Sequence, residues 1–231
     1  MQISNWATRH PRVYRYLERQ YVDEYFASGK LMLSSFTRFA QHTDEQRLDL
    51  KEGKTYLLHR TGDNGGQTLL VEADFGHDAY VLCGSTLPSV GLMKAFGVDS
   101  GIVIKDPIGF AHSVGDALLG YKHGYDGPCS YQLRRIVEHD FGWLDLGTTE
   151  GTDDLSKVNH QVLKATLDRL VSPDVYFLKN SMYVAQAEWR FVWIVDHAVT
   201  ENLVLEVPQS RQFCVPWELQ GNIVAFGGER V

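Results

Sequence analysis

"SMYVAQAEWRFVWIVD", residues 181–196, decides how the rest of the chain is read. Side chains along a strand alternate between two faces. Taken as one strand, the stretch puts Tyr183, Ala185, Ala187, Trp189, Phe191, Trp193 and Val195 on one face. Met182, Val184, Gln186, Glu188, Arg190, Val192 and Ile194 fall on the other. That second face is apolar at both ends and polar at three consecutive steps. A polar patch framed by apolar residues is expected either at the floor of a cleft or as a buried Glu188–Arg190 pair that satisfies itself.

Further out, the pattern stays strand-rich. "VYRYL" (13–17) predicts a strand, and Tyr21, Val22, Tyr25 and Phe26 recur at helical spacing before Gly29, a natural helix stop. "KLMLSSFTRF" (30–39) predicts a second strand, and "HTDEQRLDLKEG" (42–53) a surface loop or short helix. "KTYLLHR" and "QTLLVEADF" flank "TGDNGG" as a hairpin, and "AYVLCGSTLP" continues as a strand. Residues 91–104 predict a short helix, a turn and a buried strand; "CSYQLRRIVEH" predicts one further strand, and His123 in "YKHGYDG" a turn residue. The clearest helix is 152–173, capped by Asp153 or Asp154, striped by Leu155, Val158, Val162, Leu163 and Leu170, and ended by Ser172-Pro173. "NLVLEVP" and "NIVAFGG" add two strands. With no regular βαβ alternation, the expected fold is α+β with a mostly antiparallel sheet, in a single domain over 1–231.

A chain of 231 residues with 44% hydrophobic and 22% charged residues has the composition of a globular protein. The formal net charge of −7 argues against a generally basic nucleic-acid or anionic-membrane binder, while leaving room for a local basic groove. Three scattered cysteines, Cys83, Cys129 and Cys214, with no Cys-x-x-Cys, argue against a disulfide framework or a structural zinc. The first twenty residues hold no apolar signal core and no apolar run has membrane-spanning length, so the expected location is the cytoplasm. Phosphate-loop, dinucleotide-fold, zinc-protease and serine-hydrolase motifs are all missing. Asp44, Glu45, Asp49 and Glu52 offer a metal cluster for a nuclease, but Arg47 and Lys51 among them favour a solvated charged segment and no metal.

Four stretches in order, "YRY" (14–16), "GKLMLSSFTRF" (29–39), "VLCGSTLPSVGLMKAFGVDSGIVI" (81–104) and "K…AEWRF" (179, 187–191), carry a resemblance. Together they resemble a bacterial family of unknown function with a Tyr-Lys/Arg-Tyr opening, a Leu-x-x-Ser-x-x-x-Phe strand, a Ser…Met…Gly-x-x-Ile middle and a late Glu-x-x-Arg strand. That family is similar to a divergent branch of the ADP-ribosyltransferase superfamily, some members of which are toxins in toxin–antitoxin and antiphage systems. The chain departs from it after Phe39, where "AQHTDEQR" replaces Phe-Asn-Asp-Pro.

The resemblance implies an ADP-ribosyltransferase-like split sheet and NAD as substrate. Breaking the nicotinamide–ribose bond passes through an oxocarbenium-like state, as in glycoside hydrolysis. It implies Glu188 as the carboxylate that holds a ribose hydroxyl and offsets that charge, and Gln186, two residues earlier, as the group that orients the acceptor. It implies Arg15 on the pyrophosphate or adenylate ribose; Tyr14 and Tyr16, on the opposite strand face, are the alternative residues to face the cleft and bind the cofactor, with Tyr16 stacking on nicotinamide. Ser34, Ser35 and Thr37 would hydrogen-bond the ribose and Glu188, and Arg190 would pair with Glu188 or a phosphate. The implied partners are NAD, a macromolecular acceptor with RNA slightly favoured over protein, and an antitoxin, with no membrane. Arg9, Arg12, Arg15 and Arg19, and the pair Arg134-Arg135, are the basic clusters available to an RNA. The competing expectations are an NAD glycohydrolase and a non-catalytic nucleotide- or partner-binding module.

Overall fold

The structure, a computed structural model, describes residues 10–39, 53–60, 68–139, 159, 161, 162, 165, 172–220 and 223–226. The chain enters as β1 (Val13–Leu17), turns through α1 (Arg19–Ser28) and returns as β2 (Lys30–Ser35), which runs into the single turn α2 (Phe36–Phe39). Next come β3 (Lys54–Arg60), β4 (Thr68–Asp74), β5 (Ala79–Ser85), α3 (Val90–Phe96), β6 (Ser100–Ile104) and α4 (Pro107–Ala117). They are followed by β7 (Tyr121–Pro128), β8 (Ser130–Gln132), β9 (Ile136–His139), β10 (Leu178–Asn180) and β11 (Glu188–Val195). The last strands are β12 (Leu203–Glu206), β13 (Cys214–Gln220) and β14 (Ile223–Phe226). Among the described residues, 3-10 turns cover Pro173–Phe177, Ser181–Gln186 and Pro208–Phe213. Most of the helix expected over 152–173, the acidic stretch 42–52 and the hairpin tip 61–66 lie outside the described residues.

The fold is α+β. Nine strands form one antiparallel sheet, in the order β12-β2-β5-β1-β6-β13-β14 with β11 and β7 branching from β5. Among the described residues, parallel pairing is confined to β10 with β8 and β3 with β9 in two small sheets. β5 is the pivot. Its one edge is laddered to β11 along its whole length, from Glu188↔Ser85 to Ile194↔Ala79. Its other edge is shared by two strands that part from each other. β2 holds one end through Ser34↔Val81 and Ser35↔Tyr80, and β1 touches the other end only at Tyr14↔Ser85.

All eight residues of β11 are buried. Trp189, Phe191, Trp193 and Val195 pack beneath Val22 and Tyr25 of α1 and Phe110 and Val114 of α4. Each fully buried apolar side chain of this size contributes about 1.5–3 kcal/mol, so this face anchors the sheet. Val192 and Ile194 join Phe36, Phe75 and Val175 on the other face. A third cluster sets Tyr14 and Tyr16 against Met93 and Trp217.

Several expected elements are corrected. The alternation holds from Glu188 to Val195 but not before it. Ser181–Gln186 is a 3-10 turn begun by Asn180, whose Oδ1 accepts the Met182 N–H at 3.0 Å. Met182 is therefore 74% exposed rather than framing a buried face. The strand expected over 30–39 ends at Ser35, which turns the chain into α2. "CSYQLRRIVEH" is two strands in different sheets, and His123 lies in β7, not in a turn. Helix α4 goes unseen in the sequence reading, although Asp106 caps it by accepting the Gly109 N–H at 3.0 Å and Pro107 occupies its first turn.

Candidate functional site

Where β1 and β2 part from β5, a cavity of about 240 Å³ opens. Its walls include Arg15 and Tyr16 from β1, Ser34 from β2 and Arg38 from α2; residues 81–85 of β5 and Asn202 complete them with Lys179, Gln186, Glu188 and Arg190. Arg15 and Tyr16 also border an adjoining groove of about 420 Å³ between β1, α1 and β2.

Register explains the arrangement. Tyr14, Ser85 and Glu188 lie side by side across β1, β5 and β11, so they share a face, as do Cys83 and Arg190 two steps along. Ser34, paired with Val81, lies on that same face. Arg15 alternates with Tyr14 and Tyr16, so its side chain belongs to the other face and reaches the cavity at the split.

Glu188 is 6% exposed and tied on both sides. Lys179 Nζ contacts Oε2, and Arg190 Nε donates to Oε1 at 2.6 Å. The Cys129 thiol lies 3.6 Å from Oε1. Burial alone would raise this carboxyl. The charges of Lys179 and Arg190 override it and hold the group well below the usual carboxylate range. For Lys179, burial is the largest single influence and lowers the ammonium, but the Glu188 charge, Cys83 and the hydrogen bond to Glu188 together leave it raised. Arg190 is 2% exposed and its Nη1 also donates to the Tyr176 carbonyl at 2.7 Å. Of its two expected roles, the structure shows the pairing with Glu188.

Gln186 does not share a strand face with Glu188, because it ends the 3-10 turn. Ala187 follows with φ 42° and ψ 50° and is the only non-glycine residue at positive φ among the described residues. The kink is pinned by Thr86, whose N–H donates to the Ala187 carbonyl at 2.9 Å. It brings Gln186 and Glu188 to one partner, since Lys179 Nζ also donates to Gln186 Oε1 at 2.8 Å.

Three expected ligand contacts are corrected. Tyr14 is buried edge-to-face on Trp217, at a centroid distance of 5.4 Å. Ser35 is fully buried and structural: its Oγ accepts the Arg38 N–H at 3.2 Å, capping α2. Thr37 is exposed on α2 and lines no part of the cavity. Tyr16 does line it, but its ring already packs on Trp217 and Phe96. Its hydroxyl is committed too, donating to the Leu87 carbonyl at 2.6 Å and accepting from Ser89 N–H. It is a fixed wall rather than a free stacking surface.

Lys179, Arg38 and Asn202 line the cavity without an expected role from the sequence. Lys179 is delivered by the parallel pair β10–β8, opposite Tyr131. Arg38 is paired with Glu201, and Asn202 Oδ1 accepts the Ser35 N–H at 3.1 Å. Of the basic clusters, Arg9 lies outside the described residues, Arg19 is paired with Glu218, and Arg135 is buried and closed to an RNA. Cys83 borders the cavity, but burial and the nearby Glu188 push its thiol well up, so it is no nucleophile at neutral pH. Among the described residues there is no group of three or more metal-ligating side chains. Nor is any helix among them long and apolar enough to cross a membrane.

The cavity wall thus carries four cationic side chains and one carboxylate, which suits a ligand that is anionic overall and hydroxylated at one point. No family model, curated protein or solved structure matches the chain.

Proposed function

We propose that this chain is an NAD-dependent ADP-ribosyltransferase with an ADP-ribosyltransferase-like split sheet, acting in the cytoplasm as the toxin of a toxin–antitoxin or antiphage system. The observation that carries the reading is the convergence, at the parting of β1 and β2, of Arg15, Ser34, Gln186 and Glu188 from four separate elements. A dinucleotide needs cations for its pyrophosphate and a carboxylate for the ribose carbon that becomes positive. The site supplies both. In the reaction the bond from ribose to nicotinamide breaks with its electron pair on nicotinamide. The acceptor then bonds to the ribose carbon and releases its proton to solvent. Glu188, ionised and rigid, offsets the charge that exists only at the transition state. RNA is the favoured acceptor over protein.

The ion pairing of both Glu188 oxygens favours one second reading, a nucleotide-binding module without turnover. Incubation with NAD labelled in its adenylate, alongside cell RNA and protein, separates the outcomes. Labelled macromolecule supports transfer, and free ADP-ribose with released nicotinamide supports the glycohydrolase variant. Saturable NAD binding with neither supports the binding module. No binding and no turnover defeats the proposal.

A further inference from the structure

We propose that Lys179 is the positioning residue of this site, clamping Gln186 and Glu188 side by side so that both meet a ligand in fixed orientations. The inference rests on the transferase reading for what the clamp is for, but its geometry does not. An ammonium has three donors. One goes to Gln186 Oε1 at 2.8 Å and one to Glu188 Oε2. The ammonium also lies over the Tyr183 ring, 5.1 Å from its centroid. All three partners belong to residues 181–188, so Lys179 fastens the 3-10 turn to the first residue of β11.

The clamp has two chemical consequences. It commits Gln186 Oε1 to the ammonium, which fixes the direction of the side-chain amide. It also leaves Glu188 one acceptor position. A carboxylate has about four lone-pair sites. On Oε1 they face Arg190 Nε and the Cys129 thiol; on Oε2 one faces Lys179. The remaining site, on Oε2, takes a single hydroxyl, which is what one ribose hydroxyl requires. Lys179 contributes nothing that a generic cation would not, unless its length and direction matter. The conservative variant therefore carries the test.

Lys179→Met and Lys179→Arg should be compared with wild type for nicotinamide release from NAD, for KM and kcat separately, and for folding by thermal melting. The expected result is a kcat at least about 10²-fold lower in Lys179→Met, with KM for NAD changed less than about tenfold. Lys179→Arg keeps the charge but not the reach, and is expected to lose at least about tenfold in kcat. Full activity in either variant overturns the proposal while leaving the transferase reading intact. Should Lys179→Met fail to fold, Lys179→Arg decides alone. The mobility of the Gln186 side-chain amide, read by its heteronuclear NOE, is the readout independent of turnover. It is expected to become mobile in the folded variants, and an unchanged NOE overturns the clamp even if wild type proves inert towards NAD, a result that would defeat the transferase reading separately.

Discussion

Tyr131 Oη accepts the backbone N–H of Glu188 at 2.7 Å, so the strand that carries the site begins on a side chain from β8. Burial pushes the Tyr131 hydroxyl up to about 12, which keeps it protonated. Tyr131→Phe leaves a largely buried N–H without its partner. The expected loss of stability is about 1–3 kcal/mol, read from urea unfolding. NAD turnover should fall with it, because Glu188 loses its backbone anchor. Unchanged stability would show that the N–H finds water instead.

Glu188→Gln is a poor probe of chemistry here, because it removes the charge to which both Lys179 and Arg190 are paired in a buried site. Breaking buried pairing of this kind costs roughly 3–5 kcal/mol. Glu188→Asp keeps the charge and withdraws the carboxylate by one methylene. It should fold, bind NAD within about tenfold of wild type and lose turnover by about 10²-fold. A folded Glu188→Asp protein with wild-type turnover would remove Glu188 from the mechanism.

The pH dependence of stability follows from the same three groups. Glu188 is depressed below its unfolded value of about 4.3. Its contribution is therefore complete above that pH and is lost as pH falls through the folded value. Lys179 is raised above its unfolded value of about 10.4. Its contribution is complete below that pH and is lost as pH rises through the folded value. The groups facing Glu188 are Lys179, Arg190, Cys83, Cys129 and Tyr131, from β10, β11, β5, the β7–β8 link and β8. Urea unfolding from pH 3 to 11 should show this contribution constant between those limits. In Lys179→Met the acid-side loss should shrink and the alkaline loss should vanish.

Ala187 holds a left-handed conformation that glycine adopts without strain. Ala187→Gly should raise stability by about 0.5–1 kcal/mol, and Ala187→Val should lower it by more than about 1 kcal/mol. Gln186→Ala, beside it, should impair transfer to a macromolecule more than NAD hydrolysis, since orienting the acceptor is its proposed task. Equal losses in the two assays would remove that role.

What the sequence made legible follows physical rules that act over short distances. Helix α1 is visible because Val22 and Tyr25 repeat at helical spacing and Gly29 ends it with φ 81°. The face of β11 is visible from Glu188 onward because the aromatic residues Trp189, Phe191 and Trp193 alternate there with Glu188, Arg190 and aliphatic residues. The same period-two pattern misleads over 181–186. Tyr183 and Ala185 mimic a strand, and nothing marks an alanine as left-handed. Arg15, Tyr16, Ser34, Gln186, Glu188 and Arg190 line one cavity, whereas Tyr14 is absorbed by the core, Ser35 by the cap of α2, and Thr37 is exposed away from the cavity. Lys179 stands in the sequence motif without a role, because that role depends on β10 pairing with β8, a contact between segments far apart in the chain.

The parting of β1 and β2 also sets how the mouth of the cavity responds to load. Each jamb of this doorway is buttressed from its outer side, β1 by five residue pairs to β6 and β2 by four to β12. Only Tyr14↔Ser85, Ser34↔Val81 and Ser35↔Tyr80 fasten the jambs to the common post, β5. Widening the aperture thus breaks three pairs and leaves both side panels whole. Amide exchange at Ser34 and Ser85 outpacing that at Ile102 would register this compliance, in which the aperture widens without the sheet coming apart.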